Sequence, residues 1–493
     1  MPNNKVIVIG AGLGGISSAI YLSLLGLDVH IIEKNNHIGG KLNELKKDEF
    51  TFDLGPSILT MPHIFEELFE IMDEDINKHL DLKKLNLQWR CFFEDKTVID
   101  LYEDIDKMQG NKAVSDEDVE NIKEFMNYSK DLYELTKKGY FDKGLDTFKE
   151  VRSFYGIKDL LFGFDYFSIM HKGVARYIDN PYLIDVYDYF IKYVGSSAYD
   201  APAVLNILPY VQKAFGLWYI DGGLYNLARA LEKLLSKANV KVTKNREVKE
   251  MVYKDGYISG VKLDNGEIIK GDIFVSNMEV IPVYRELLKE NDDYLEEHDK
   301  FEPACSGLVL HIGVDREYAK LSHHNFFFSN NLKENFDTIF HKKELPEDPT
   351  IYLVATTRTD RAQAPEGCEN IKILPHIPYI QDKKFSKDEY MALKLRVLEK
   401  LERMGLEDLR KHIIFEDIWL PEDIESSYKS NHGAIYGVVS DRKKNKGFKA
   451  PKHSDKYDNL FFVGGSVNPG GGMPMVTLSG KQVSEKIKEK YNL

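Results

Sequence analysis

Four short runs along the chain are apolar at nearly every position: Lys5-Val-Ile-Val-Ile9, Asp28-Val-His-Ile-Ile32, Ile273-Phe-Val275 and Asn459-Leu-Phe-Phe-Val463. Runs this short, bounded by turn residues, predict buried strands of the kind found in parallel sheets. An Ala/Leu-rich stretch between the first two predicts a helix that stops at Gly26. Other stretches repeat with the helical period. Leu224, Leu227, Leu231 and Leu234 make one apolar stripe, and Val476, Gly480, Val483 and Ile487 make another near the end. Ser386-Lys-Asp-Glu389 is a capping box that opens a helix running to Met404. Beyond Val240 the pattern becomes β-rich, and the turn signals Asp255-Gly256 and Asn265-Gly266 predict a three-stranded antiparallel meander. Residues 306–314, 351–355 and 371–374 predict strands of a separate, mostly antiparallel sheet. Residues 62–145 and 181–218 read as helices, with 106–120 a polar surface excursion.

The order of these elements predicts an α/β fold. A Rossmann-like dinucleotide-binding domain is joined by a second α+β domain, an antiparallel sheet plus helices, and by a helical part. A chain of 493 residues exceeds one ordinary core. It is expected to leave and re-enter the first domain. Residues 1–100, 219–283 and 433–493 build the cofactor-binding parts, 101–218 the helical part and 284–432 the second sheet.

The first strand runs straight into Gly10-Ala-Gly12-Leu-Gly14-Gly15. Gly10 permits the tight turn, Gly12 lets backbone approach a pyrophosphate, and Gly15 lets the helix pack on the strand. The N–H groups at the helix start then face the phosphates. Glu33 ends the second strand, 21 residues after Gly12. That is the distance at which an acid accepts from ribose hydroxyls, and its charge disfavours NADP. A glycine turn in some other α/β protein is the alternative; the strand–helix–strand–acid context argues against it. Lys41, after Gly39-Gly40, brings a cation close. Asp53-Leu-Gly55-Pro56-Ser57 is a compact turn able to hold a loop over a ligand. The apolar run at 273–275 ends at Ser276-Asn277, and Asn277 is expected among the cofactor residues. Near the end, Gly464-Gly465 and a Gly/Pro-rich turn lead into the final helix, whose N-terminus stabilises negative charge. A pyrophosphate site at one end of the chain and a ring site at the other are what an extended FAD needs.

Charge narrows the partners. With 66 basic and 79 acidic residues the net charge is −13, which argues against nucleic acid and gives no pull toward an anionic bilayer. Cys91, Cys305 and Cys368 are scattered and odd in number, so neither a disulfide framework nor a zinc site is expected. Residues 1–10 lack the pattern of a secretion signal, and no apolar run reaches the ~18–20 residues of a spanning helix. Residues 154–170 are densely apolar and aromatic, and read either as a core helix or as a channel mouth facing lipid. His323-His324 reads as a solvated loop pair. His311 and His376 read as satisfied core residues, and Lys443-Lys444-Asn-Lys446 as a solvated loop.

On the glycine unit, Glu33, Gly39-Gly40-Lys41, Asp53 to Ser57, Tyr219-Ile-Asp-Gly222-Gly223, Val248, Gly433-Ala-Ile-Tyr-Gly437 and the stretch 464–480, the chain resembles the phytoene desaturase family over nearly its whole length. These are flavoproteins of the amine oxidase-like superfamily. The chain also looks like the branch of 1′-hydroxycarotenoid 3,4-desaturases. The resemblance implies FAD held at Gly10, Gly12, Gly14, Gly15, Glu33, Lys41, Ser57 and Ile58, by the backbone of Val248, and at Gly465, Met475 and Val476. It implies a carotenoid substrate, a hydride passed to flavin with loss of a proton, and oxygen or a quinone as electron acceptor. It also implies monotopic attachment to the inner face of a membrane from the cytoplasm. No residue carries over as a catalytic base. A flavin isomerase, an amine oxidase and a non-enzymatic carotenoid-binding protein are the rival readings.

Overall fold

The computed structural model of the chain describes residues 4–493, apart from the side chains of residues 157–162. Five strands form an all-parallel sheet in the order Leu460–Phe462, Ile273–Ser276, Lys5–Ile9, Asp28–Ile32, Lys241–Thr243. All four apolar runs enter it, as expected for strands covered on both faces. Helix Leu13–Leu24 packs on helix Met473–Tyr491. Their contact needs Gly480, because a Cβ there would stand 2.6 Å from the Gly14 carbonyl oxygen and 2.6 Å from the Ser18 nitrogen. This tight crossing joins the first and last segments of the chain into one domain. The predicted stripe is borne out, with Val483 and Ile487 fully buried.

The meander forms as expected from Val248–Lys254, Tyr257–Leu263 and Ile268–Lys270. Asn459 ties it to the parallel sheet by donating to the carbonyls of Ile258 and Asp272, both at 2.8 Å. Lys387–Arg403 opens with the predicted Ser386/Glu389 capping box.

A larger sheet of eight strands carries Val309–Val314, Ile351–Val354 and Glu369–Ile377, all predicted. It also carries two strands that the sequence reading assigned to helix. Leu87–Phe92 and Val98–Tyr102 pair with each other, and Leu87–Phe92 pairs in parallel with His324–Phe327. Leu82–Leu85 is likewise a strand and pairs with Leu217–Ile220. In the stretch 62–145, the α-helices are His63–Glu70 and the 21-residue Asp116–Thr136, which runs on into a π-helix at Lys137–Asp142.

Candidate cofactor and substrate site

An elongated cavity of about 560 Å³ opens at the carboxyl ends of the parallel strands, the edge where open α/β sheets bind ligands. Two helices begin at its wall without a side-chain cap. Leu13–Leu24 starts after Gly12, and Met473–Tyr491 starts after Gly472, at φ 101°. Uncapped helix starts present N–H groups and a positive dipole end to an anion. A Cβ on Gly12 would fall 2.5 Å from Asn277 Oδ1, whereas one on Gly472 would meet nothing within 4 Å. The first glycine therefore makes room for protein, and the second leaves room for a ligand.

Glu33 is 5% exposed on the cavity wall. Its Oε2 accepts from the Ala11 N–H at 2.7 Å and its Oε1 from the Asn35 N–H at 2.8 Å. Each oxygen keeps a lone pair for a hydroxyl donor. Val248 and Arg246 complete that end, while Gly465, Gly471, Tyr352 and Tyr436 line the other. An acid at one end, two uncapped helix N-termini and an aromatic far end fit the ribose, the pyrophosphate and the ring of an FAD.

All the predicted cofactor residues line this cavity except Gly15 and Met475. Gly15 packs behind it: a Cβ there would stand 2.2 Å from the Gly10 carbonyl oxygen. Met475 faces a neighbouring cavity instead. Two of the lining residues spend their polar atoms on protein. Lys41 donates to the carbonyls of Ala434 and Ile435, both at 2.9 Å, and lies 3.5 Å from Glu279. Asn277 accepts from the Gly15 N–H at 3.0 Å and donates to the Val463 carbonyl at 3.3 Å. The cation expected near the cofactor is thus a half-buried strut between the wall and the loop at 434–435. The Asp221-Gly222-Gly223 turn lies behind the wall, where the Gly222 N–H donates to Asp360 at 2.9 Å and the Leu224 N–H to Asp53 at 2.9 Å. Asp53 thereby holds the loop that carries Gly55, Pro56, Ser57 and Ile58.

Sequence reasoning missed Lys372. It sits on Glu369–Ile377, fully inside, and donates to the Asp53 carbonyl at 2.9 Å, the Ser57 hydroxyl at 3.1 Å and the Gly55 carbonyl. Burial pulls its pKa down to about 8. One lysine thus ties the larger sheet to the cofactor loop.

The second cavity, of about 180 Å³, is almost wholly apolar. It shares Thr60, Tyr193, Gly471, Gly472 and Pro474 with the first, so the two meet over the start of the last helix. Its walls come from Tyr155, Phe164, Val204, Leu205 and Val211, and it reaches outward to Phe148 and Tyr166.

Two histidine readings change. His323 and His324 are not solvated: they are 3% and 0% exposed at the start of a strand of the larger sheet. His324 Nδ1 pairs with the Tyr352 hydroxyl at 2.9 Å and His323 Nδ1 with Thr359 Oγ1 at 2.7 Å. Burial pushes the His323 pKa down to about 3 and that of His324 well below its ordinary value. His311 and His376 are buried as expected. His376 is satisfied at both nitrogens, by Tyr189 and Tyr436, whereas His311 Nε2 has no hydrogen-bond partner among the described residues.

A glycine-rich crevice on a parallel sheet, with a long pocket that ends against a second sheet, defines an FAD-dependent oxidoreductase. The chain belongs to the family of flavin-containing amine oxidoreductases, which matches residues 13–488. Among curated relatives it is 54% identical over 489 residues to the 4,4'-diaponeurosporene oxygenase of Staphylococcus haemolyticus (strain JCSC1435), covering 99% of this chain and 97% of that one. Solved structures share the fold. An oxidoreductase from Methanosarcina mazei has a TM-score of 0.65 at 16% identity, over 98% of this chain and 100% of that one. Putrescine oxidase bound to putrescine has a TM-score of 0.64 at 13% identity, over 99% of each chain.

Proposed function

We propose that this chain oxidises a linear carotenoid and introduces oxygen into it, as the name of its 54% identical relative indicates for that protein. The observation that carries the reading is the apolar second cavity, which meets the cofactor cavity over Gly471 and Gly472. A polyene offers no polar handle, so a dry channel is what binds and aligns it. Bound in the first cavity, FAD supplies a two-electron acceptor for a hydride from an allylic carbon. The chain's own residues exclude water, orient the polyene past Tyr193 and hold the cofactor loop through Asp53 and Lys372. Desaturation is the second reading, favoured by the resemblance to phytoene and 1′-hydroxycarotenoid desaturases. The electrons pass on to oxygen or a quinone.

The test mixes anaerobic, oxidised holoprotein with 4,4'-diaponeurosporene in liposomes. The flavin band bleaches, and the product of that anaerobic turnover gains one oxygen by mass, drawn from water. A product lacking two hydrogens makes the enzyme a desaturase. An unchanged mass without bleaching makes it an isomerase or a carotenoid-binding protein.

Access follows from the same geometry. No helix among the described residues is long and apolar enough to cross a membrane. A water-insoluble substrate therefore has to arrive through a surface patch. Phe167 is 65% exposed, Phe154 46% and Phe148 38%, and Phe148 also lines the second cavity. Phe164, expected to face lipid, is instead buried at 9% and stands edge-on to Tyr155. The side chains of Leu160, Leu161 and Phe162 lie outside the described ones. We place the inner-membrane contact at Phe148, Phe154 and Phe167. Their joint replacement by serine should release the protein from liposomes, since burying each is worth roughly 1.5–3 kcal/mol, and should leave bound FAD unchanged. Undiminished sedimentation with liposomes would move the contact elsewhere.

A further inference from the structure

One lysine stands among the aromatic rings of the cofactor cavity. Lys192 lies in the turn Tyr189–Val194, is 4% exposed, and lines the first cavity. Its Nζ is 4.7 Å from the ring centre of Trp89, 4.1 Å from that of Tyr193, and 4.8 Å from those of Phe326 and Tyr352. Among the described residues no carboxylate pairs with it. The Cys91 thiol faces it from the larger sheet, and His324 and His376 are close enough to feel its charge. Tyr352 is held in place by its hydroxyl bond to His324 Nδ1 at 2.9 Å. The other basic groups on the wall have partners: Lys41 has Glu279 and two carbonyls, Lys372 the cofactor loop, Lys34 and Arg246 the carbonyls of Ser426 and Asn245, and Lys249 and Lys429 the Glu247 carboxylate.

We propose that the Lys192 amine accepts the proton released when the carotenoid is oxidised in this cavity. The proposal rests on the functional reading above. The step balances as follows. An allylic C–H bond breaks and its electron pair leaves with the hydrogen as hydride to FAD. In oxygenation a water oxygen bonds to that carbon and its proton goes to Lys192 Nζ. In desaturation the proton leaves the neighbouring carbon and its electron pair becomes the new C=C bond. Either way one base is needed where water is scarce.

The rings around Lys192 suit this role. Their faces, 4.1–4.8 Å from Nζ, stabilise the ammonium that forms when Lys192 takes the proton. To take it the amine must be neutral beforehand, and burial favours that form by holding its pKa well below the ordinary lysine value. The same occupancy speaks against an amine substrate, since the box that would receive its cation is filled by the protein's own amine.

The test uses holoprotein with Lys192→Met, which keeps the box filled, and with Lys192→Arg, which stays charged. Both should retain FAD and the induced circular dichroism of bound 4,4'-diaponeurosporene. Both should lose anaerobic flavin bleaching by about 100-fold or more, the scale of general-base catalysis. In the wild type, bleaching should slow as pH falls and Lys192 takes a proton, whereas Lys192→Met should be flat over that range. With ζ-¹⁵N-lysine label, the resonance that vanishes in Lys192→Arg should have the shift of a neutral amine at pH 8, whatever the activity. Bleaching by Lys192→Met at the wild-type rate and pH profile overturns the proposal, as does an ammonium shift for Lys192 at pH 8. A wild-type flavin that the carotenoid fails to bleach overturns the functional reading, and the proposal with it.

Discussion

Replacing Glu33 with alanine should give a folded protein that loses its flavin on gel filtration. Two effects act together. The Ala11 and Asn35 N–H groups lose the carboxylate that accepts from them at 2.7 and 2.8 Å, and Ala11 sits in the turn between the first strand and its helix. The ribose of bound FAD loses its acceptor at the same time. Each unpaired group costs roughly 1–3 kcal/mol. Even one of these terms weakens FAD binding by about 5- to 150-fold. Glu33→Gln, which keeps one carbonyl acceptor, should fall between wild type and alanine. The measurement is flavin fluorescence quenching as apoprotein is titrated with FAD. Wild-type affinity in Glu33→Ala would mean that the cofactor does not lie along this wall.

The second large effect is expected at Val204, which lines the apolar cavity and not the cofactor cavity. Val204→Trp fills a space of about 180 Å³ with an indole. Overpacking costs the fold about 1–3 kcal/mol, which a chain of this size absorbs. A polyene displaced by roughly 1 Å from its reacting position already loses about 100-fold in rate, so turnover of liposome-borne carotenoid should fall at least that far. FAD content should stay at the wild-type level, and Val204→Ala should keep its activity. Full turnover in a folded, flavin-loaded Val204→Trp would show that the substrate reaches the cofactor by another path.

Both predictions begin from features of different legibility. The cofactor wall was readable because its signals are local. Gly10 to Gly15 must turn and pack within a few residues, Glu33 follows at a set distance, and the start of the last helix is marked by glycines. The sequence placed Lys41 and Asn277 at the cofactor without their partners. Their positions on the wall were right, but only the fold shows that carbonyls at 434 and 435, and Val463, take up their polar atoms. The apolar cavity was readable at one edge only: residues 154–170 read as a core helix or a channel mouth, and Tyr155, Phe164 and Tyr166 line it. Its walls come from residues 60–61, 136–166, 193–212 and 440–475, and no spacing within one segment announces such a meeting.

By itself, the sequence determined the parallel sheet, the meander, the capped helix after Ser386 and the dinucleotide site. Each of these depends on a period, a turn or a cap spanning few residues. Only the tertiary structure decided the rest. Leu87–Phe92 became a strand because His324–Phe327, more than two hundred residues later, offers it a parallel edge. His323 and His324 went inside with that edge. Lys192 reads as surface in a linear chain, since an unpaired ammonium is rarely buried. It lies inside, on the wall of the cofactor cavity, because Trp89, Phe326 and Tyr352 arrive from three separate strands to close around it, and that burial lowers its pKa. Desolvation belongs to the assembled cavity, and the chemistry it creates is therefore absent from any one stretch of the chain.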